Sequence, residues 1–276
     1  MGIAILGGRR RIFRNEPPPG GGGSFAFANQ NALGALTVFN TQPWDVKPIR
    51  GVNDSEGWIN DTDEPTGCSI GSDATAPVSP NNILIADFNV GLPRGDAPMN
   101  LLRPFADPGE QFNTLYIGTA VKLSANFAAL QIAGCKFLWP ATDQVQGTHN
   151  YSGFDTTDLT FKLFQQGTID RIFDPNLGQD ALTNWIDYRG VWRELEIIVK
   201  VQSSEFVADG EFHCWHGGVK THQYTDIQFQ MDGAPLNWKS LTYTPTYGGD
   251  LTGTQAPLET EMFMYMDHLI MATGTT

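Results

Sequence analysis

Apolar and polar residues alternate along much of this chain, in short runs separated by Gly, Pro, Asn and Asp. A period of two places every second side chain on the same side of an extended backbone, which is typical of a half-buried β-strand. The alternation predicts strands at Phe25–Phe39, Asn82–Phe88, Leu115–Leu123, Gly134–Leu138, Leu159–Gln165, Glu194–Val201, Gly210–Trp215 and Met262–Ala272.

Helix signals are almost absent, and the composition agrees with that. The chain has 276 residues, 41% of them hydrophobic, with 30 glycines and 17 prolines. A chain of this length can bury a sizeable core, and many short strands with Gly and Pro turns favour an all-β fold. We therefore predict a leader at residues 1–24 and one β-domain at residues 25–276.

Charge divides the chain at the same place. Arg9, Arg10, Arg11 and Arg14 against Glu16 give the leader a charge of +3, which leaves −16 on the body of a chain whose net charge is −13. An acidic body is repelled by nucleic acid and by anionic membrane surfaces, since phosphate binding depends on Lys and Arg. Only the leader is suited to an acidic partner.

No export signal or membrane span is expected. The short apolar run Ile3–Leu6 precedes the arginines, whereas a signal peptide has its basic segment first. No stretch approaches the roughly 18 apolar residues of a membrane-spanning helix.

Metal and cofactor chemistry has little support in the sequence. Cys68, Cys135 and Cys214 form no CxxC pair, which favours reduced thiols in the core. The acidic stretch 53–65, "NDSEGWINDTDEP", is predicted to be a long loop. Asp61, Asp63 and Glu64 offer calcium ligands there but lack EF-hand spacing, so a solvated loop without metal is the expectation.

The most specific pattern is a hairpin in the second half of the chain. Trp192, Glu194 and Glu196 share one face of a predicted strand, opposite Leu195, Ile197 and Val199. After Asp209-Gly210, a second strand carries Glu211, His213 and Trp215 on one face, and Gly217-Gly218 forms a turn. The segments "LYIGTAVKLSANF", "GCKFLWP", "YTPTYGGD" and "MFMYMDHLIMATG" flank this hairpin.

This series resembles the concanavalin A-like jelly-roll superfamily, especially its laminin-G-like, polysaccharide-lyase-like and phage-associated members. The likeness runs from about Leu115 to the C-terminus, and more faintly from Phe25. It implies a sandwich of two antiparallel sheets, preceded here by an extended arm. The residues that match are Trp192, Glu196, Asp209, Gly210, Trp215, Gly218, Gly248, Gly249, Asp267 and His268.

One face of such a sheet can line a groove, and two interpretations of the hairpin stay open. If both strands face the groove, Trp192, Glu194, Glu196, Glu211, His213 and Trp215 form a patch that suits sugar, because sugar rings stack on indoles and carboxylates accept hydroxyl hydrogen bonds. Alternatively, both tryptophans belong to the core and the glutamates to a solvated face.

Catalysis is the alternative to binding. Glu194 and Glu196 would be the carboxylates of a hydrolase, although the glucanase relatives carry E-x-D-x-x-E where this chain has "ELEIIV". A lyase needs a base and a cation that neutralises uronate, and the body is poor in Lys and Arg.

The expectation from the sequence is a particle-attached structural or adhesion module, such as a phage head-decoration, head-fibre or tail protein, with a lectin-like domain. Arg9, Arg10, Arg11, Phe13 and Arg14 would anchor the arm to a larger, oligomeric assembly, with arginines paired to carboxylates. The expected location is a virion surface or the extracellular space. A polysaccharide-degrading enzyme, either lyase or glycoside hydrolase, is the alternative.

Overall fold

The computed structural model describes residues 27–47, 54, 56–60, 67–93, 95–105, 112–127, 135–142, 149–154, 160–166, 171–177, 184–229, 237–247 and 258–274. Strands dominate these residues, and the single helix among them is a 3₁₀ turn at Trp185–Tyr188. The strands, in chain order from β1 to β15, are Thr37–Gln42, Ile59–Asn60, Cys68–Gly71, Ile83–Phe88, Leu101–Pro104, Thr114–Leu123, Cys135–Ala141, His149–Phe154, Phe161–Gln166, Arg171–Phe173, Arg193–Lys200, Gly210–His216, Val219–Ile227, Ser240–Tyr247 and Met262–Gly274.

The strands form two antiparallel sheets. The large sheet has the order β13-β12-β11-β6-β15-β4-β3, and β1 pairs with the later part of β15. The small sheet has the order β10-β9-β8-β7-β14-β5-β2. Non-consecutive neighbours such as β6 between β11 and β15 show that the chain crosses between the sheets, as in a jelly roll. The expected all-β, two-sheet sandwich is confirmed.

A continuous apolar core fills the space between the sheets. Ile117, Leu195 and Met264 contribute from the large sheet, and Phe137 and Leu241 from the small sheet. Burial of this apolar surface is the main force that holds the layers together. Cys68, Cys135 and Cys214 are buried free thiols, as expected.

Strand β15 contains a bulge at His268. The pairing with β6 skips this residue between Asp267 and Leu269, and His268 has a left-handed φ of 55°. Met264 and Met266 face the core before the bulge, and Leu269 and Met271 face it afterwards. The bulge also separates the part of β15 that pairs with β4 from the part that pairs with β1.

Most of the predicted strands are present, and the predicted hairpin is confirmed. β11 pairs with β12, and β12 pairs with β13 through a turn at Gly217 and Gly218, whose φ values are 55° and 77°. Glycine adopts these left-handed angles without a steric penalty.

Two predictions need correction. The prediction of a strand over Phe25–Phe39 is wrong for residues 27–36, which form turns before β1 begins. The predicted loop at residues 53–65 contains the short strand Ile59–Asn60. Residues 61–65 of that loop, including Asp61, Asp63 and Glu64, lie outside the described residues, as does the leader at residues 1–24 with Arg9, Arg10, Arg11, Phe13 and Arg14. Among the described residues, no helix has the length and apolar character needed to cross a bilayer.

Candidate active site on the outer face of the large sheet

The outer face of the large sheet, which points away from the other sheet, carries the predicted hairpin residues. Leu195, Ile197 and Val199 of β11 pack into the core, so Glu194 and Glu196 point outward. By the same alternation, Phe212 and Cys214 of β12 face the core. All six predicted residues therefore share the outer face: Trp192, Glu194, Glu196, Glu211, His213 and Trp215.

The acid pair, Glu194 and Glu196, is covered by the chain itself. Glu196 is fully buried, and its Oε2 accepts hydrogen bonds from the Asn29 backbone N–H at 2.9 Å and the Tyr116 hydroxyl at 2.8 Å. Its Oε1 accepts one from Asn29 Nδ2 at 2.6 Å. Glu194 Oε1 accepts one from the Phe27 backbone N–H at 3.1 Å. Both oxygens of Glu196 are thus occupied.

We call residues 27–36 the cover segment. Its turns are fixed by backbone bonds from Ala32 N–H to Asn29 at 2.9 Å and from Gly34 N–H to the Asn31 carbonyl oxygen at 3.2 Å. The Leu36 N–H donates to Asn31 Oδ1 at 2.9 Å. Asn side chains that bond nearby backbone groups favour turns over strands.

Apolar contacts hold the cover segment on the sheet. Phe27 and Leu36 belong to a buried cluster with Tyr116, Ile198, Trp215 and Ala272. Gly118 provides the space for this packing, because a Cβ there would collide with the Tyr116 hydroxyl and lie 3.0 Å from the Phe27 ring. The cover segment and the middle of the sheet are therefore fitted to each other.

Burial changes the acid–base properties of the acid pair. Burial and the neighbouring Glu196 carboxylate raise the pKa of Glu194 to about 7, while the Phe27 N–H opposes the shift. Burial, together with both glutamates, raises the pKa of the Tyr116 hydroxyl well above its usual range. Glu194 therefore exchanges its proton near neutral pH, whereas Tyr116 stays protonated and donates to Glu196.

Beyond the cover segment lies the lysine row, formed by Trp192, Lys122, Tyr265 and Ile85. Tyr265 of β15 lies directly opposite Lys122 of β6 and opposite Ile85 of β4. The Lys122 ammonium is 5.0 Å from the ring centroids of both Trp192 and Tyr265. Tyr265 and Ile85 are only half-buried, so this part of the outer face remains accessible.

Asp73 orders the lysine row. It forms an ion pair with Lys122, and its Oδ2 accepts a hydrogen bond from Trp192 Nε1 at 3.1 Å. Burial lowers the pKa of Lys122, and burial together with Asp87 raises the pKa of Tyr265. The Lys122 cation and the neutral Tyr265 phenol therefore lie side by side, and the Trp192 indole lies next to the cation.

The loop at residues 72–82 supports this arrangement. Buried Asp267 accepts hydrogen bonds from the backbone N–H groups of Val78 at 2.7 Å and Ser79 at 2.9 Å. Ala76 of the same loop packs against Trp192. Asp267, one of the residues that carry the jelly-roll resemblance, thus holds a loop that contacts Trp192 of the lysine row.

The rest of the predicted patch lies on β12. Glu211 accepts hydrogen bonds from Lys200 Nζ and His213 Nε2, each at 3.0 Å. Burial alone would raise the pKa of Glu211, but the hydrogen bonds from His213 and Lys200 outweigh it, and the pKa is lowered. Burial lowers the pKa of His213. Trp215 is 4% exposed, with the His213 ring stacked beside it at 6.1 Å and Lys220 at 5.1 Å. Carbohydrate binding by these residues stays a prediction.

Sequence reasoning missed Lys122, Tyr265 and Asp73. Lys122 is a lone cation in the apolar segment Leu115–Leu123. Because a lysine is rarely buried without a partner, its position indicates that it pairs with another side chain. Its pairing with Tyr265 depends on the register of two strands that are distant in sequence.

Comparison with known proteins finds solved structures that share the fold of this chain. No family model matches the chain, and no curated protein does. An alginate lyase, Aly36B, solved with an alginate trisaccharide, aligns with a TM-score of 0.60 at 14% identity over 87% of this chain and 100% of that one. The alginate lyase vAL-1 from Chlorella virus has a TM-score of 0.54 at 12% identity, covering 79% and 93% of the two chains. An endo-β-1,4-glucuronan lyase from the fungus Trichoderma reesei has a TM-score of 0.53 at 12% identity, covering 86% and 96%.

The fold is the concanavalin A-like jelly roll. That part of the sequence resemblance is confirmed. The expectation of a particle-attached structural or adhesion module is wrong, because the structures similar to this chain are mainly polysaccharide lyases. They favour the alternative, a polysaccharide-degrading enzyme. The virion assignment has no support in the comparisons, and the anchoring role of the leader remains a prediction.

Proposed function

We propose that this chain is a polysaccharide-degrading enzyme that cleaves a uronate-containing polymer by β-elimination at the lysine row. The observation that carries the proposal is the pairing of Lys122 with Tyr265 on an accessible part of the outer face. The shared fold with alginate and glucuronan lyases supports the same reaction class.

The chemistry of elimination requires three groups. A cation must neutralise the uronate carboxylate, a base must remove the C5 proton, and an acid must protonate O4 as the C4–O4 bond breaks and the C4–C5 double bond forms. Lys122 provides the cation, and a substrate carboxylate would share it with Asp73. Tyr265 is held neutral by its raised pKa, which suits the acid.

Glu194 is the base in this proposal. It lies on the same outer face as Trp192, two residues along the chain, and the cover segment bonds its Oε1, which leaves Oε2 to take the proton. A pKa of about 7 is close to the optimum for a general base at neutral pH. A glycosidase with Glu194 and Glu196 as its two carboxylates is less suited to this geometry, because the cover segment occupies both oxygens of Glu196.

The test is an activity assay of the full chain on polymannuronate, polyguluronate, glucuronan and pectate. We expect an ultraviolet signal from the unsaturated uronate of at least one polymer. Glu194→Gln, Lys122→Met and Tyr265→Phe should each reduce the rate by about 10²–10⁴-fold. Lys200→Met, which removes an ion-paired lysine elsewhere on the face, is the matched control and should retain activity.

Two outcomes would contradict the proposal. The absence of unsaturated product from every uronate polymer would exclude elimination on these substrates. New reducing ends without the ultraviolet signal would indicate hydrolysis instead.

A further inference from the structure

A cluster of soft metal ligands lies in the core, away from the proposed active site. Cys214 and His216 are on β12 and His222 is on β13, where it lies directly opposite Cys214. All three side chains are buried, at 0%, 1% and 0% exposure. One potential ligand atom of each lies within 4.8 Å of those of the other two. The thiol and the imidazoles therefore converge on one point of the β12–β13 hairpin.

Hydrogen bonds orient the lone pair of His222. Its Nε2 lies 3.1 Å from the carbonyl oxygen of Phe161, which can only accept, so the proton of the neutral ring is on Nε2. Nδ1 is then unprotonated and lies 2.8 Å from the Thr221 hydroxyl, whose proton can go instead to the Cys214 carbonyl oxygen at 3.3 Å, which leaves the Nδ1 lone pair for a metal. A ring N–H bonded to a backbone carbonyl is the usual arrangement for a histidine whose other nitrogen binds metal.

His216 is supported in a similar way. Its Nδ1 bonds the Tyr188 hydroxyl, and its Nε2 is 3.3 Å from Cys214 Sγ. When Nδ1 donates its proton to the tyrosine oxygen, the Nε2 lone pair faces the sulfur. Metal–S and metal–N bonds of about 2.3 Å and 2.0–2.1 Å bring tetrahedral or trigonal ligands to about this separation.

Metals bind neutral imidazoles and thiolates, so an ion that binds here must displace the proton of the Cys214 thiol.

From this convergence, we infer that Cys214, His216 and His222 form a binding site for one Cu⁺ ion. One thiolate and two neutral imidazoles around Cu⁺ make a three-coordinate site of zero net charge, which is the least costly charge state in an apolar core. Zn²⁺ would leave a net positive charge and would need a fourth ligand. The ring of Phe161, 4.8 Å from that of His216, adds to the apolar surroundings.

The experiment refolds the full, tag-free chain without oxygen, with Cu⁺ or with Zn²⁺, in the presence of a chelator that removes weakly bound ions. We expect one Cu⁺ per chain, a higher melting temperature and a thiolate-to-copper absorption band. Cys214→Ser and His222→Gln should each lower copper retention by about tenfold or more. Cys68→Ser, which alters a buried thiol in another part of the core, is the control and should retain the metal.

The thiolate-to-copper band is measured on the wild-type protein, so the site can be tested even if a variant fails to fold. Absence of a thiolate band from folded wild-type protein would overturn the site, as would copper retention that survives both substitutions. Preferential uptake of Zn²⁺ would overturn the assignment to copper.

Discussion

The two halves of the outer face are built from the same strands but differ in how their polar groups are used. In the covered half, Glu196 is fully buried and makes three hydrogen bonds through both oxygens, whereas the cover segment bonds Oε1 of Glu194. In the open half, Lys122 and Tyr265 remain next to half-exposed surface. Polar groups that are fully satisfied by the protein contribute to stability, whereas those left accessible can act on a substrate.

The largest effect on stability should come from Glu196 in the covered half. Glu196→Ala leaves two donors of Asn29 and the Tyr116 hydroxyl without their acceptor. We expect a loss of about 3–5 kcal/mol in the free energy of unfolding, measured by chemical denaturation. Glu211→Ala removes a partly exposed carboxylate from the same face and should cost about 1 kcal/mol or less. Equal losses for the two variants would refute the division of the face.

The pH dependence of Glu194 should connect the two halves. The folded pKa of about 7 exceeds the ordinary value of 4.5, so the folded state holds the proton more tightly. Its contribution to stability is present below pH 4.5 and is lost as pH rises to about 7. The wild type should therefore lose about 3 kcal/mol relative to Glu194→Gln across this range.

Catalysis by Glu194 should have the opposite pH dependence, since a base must be deprotonated. The rate should rise through about pH 7 while stability falls. Parallel denaturation and rate profiles would separate the two effects. A stability difference between the wild type and Glu194→Gln that stays constant with pH would show that folding does not raise the pKa of Glu194.

The smallest effect should come from the hydrogen bond between Trp192 and Asp73, which supports the open half. Trp192→Phe removes the N–H donor to Asp73 but keeps most of the apolar surface. The coupling between Trp192→Phe and Asp73→Ala in a double-mutant cycle should be about 1 kcal/mol. A coupling energy near zero would mean that the indole and the carboxylate are arranged independently.

Local alternation was enough to predict most strands and the shared face of the hairpin, whereas the two-sheet sandwich was predicted from the resemblance to the jelly-roll superfamily. β11 and β12 have continuous alternation, with Leu195 and Ile197 inward and Glu194 and Glu196 outward. The side on which a residue lies follows from the pleat, which is a local property of the chain.

The contacts on the outer face could not be predicted in this way. The residues after Phe27 alternate like a strand, yet Asn29 and Asn31 stabilise turns, and the segment lies on a sheet face. The pairing of Lys122 with Tyr265 is set by the register between β6 and β15, which depends on the whole sheet. Burial of the tryptophans likewise depends on segments far away in sequence.

The bulge at His268 shifts the phase of β15 by one residue. Met264 and Met266 are inward at even-numbered positions, but Leu269 and Met271 are inward at odd-numbered ones. If His268 were paired as a regular strand residue instead of bulging, Ile270 and Ala272 would turn toward the core, while Leu269 and Met271 turned outward. The bulge therefore keeps the apolar residues on both sides of it facing the core, and regular pairing of the same residues would exchange the inner and outer surfaces beside both β1 and β6.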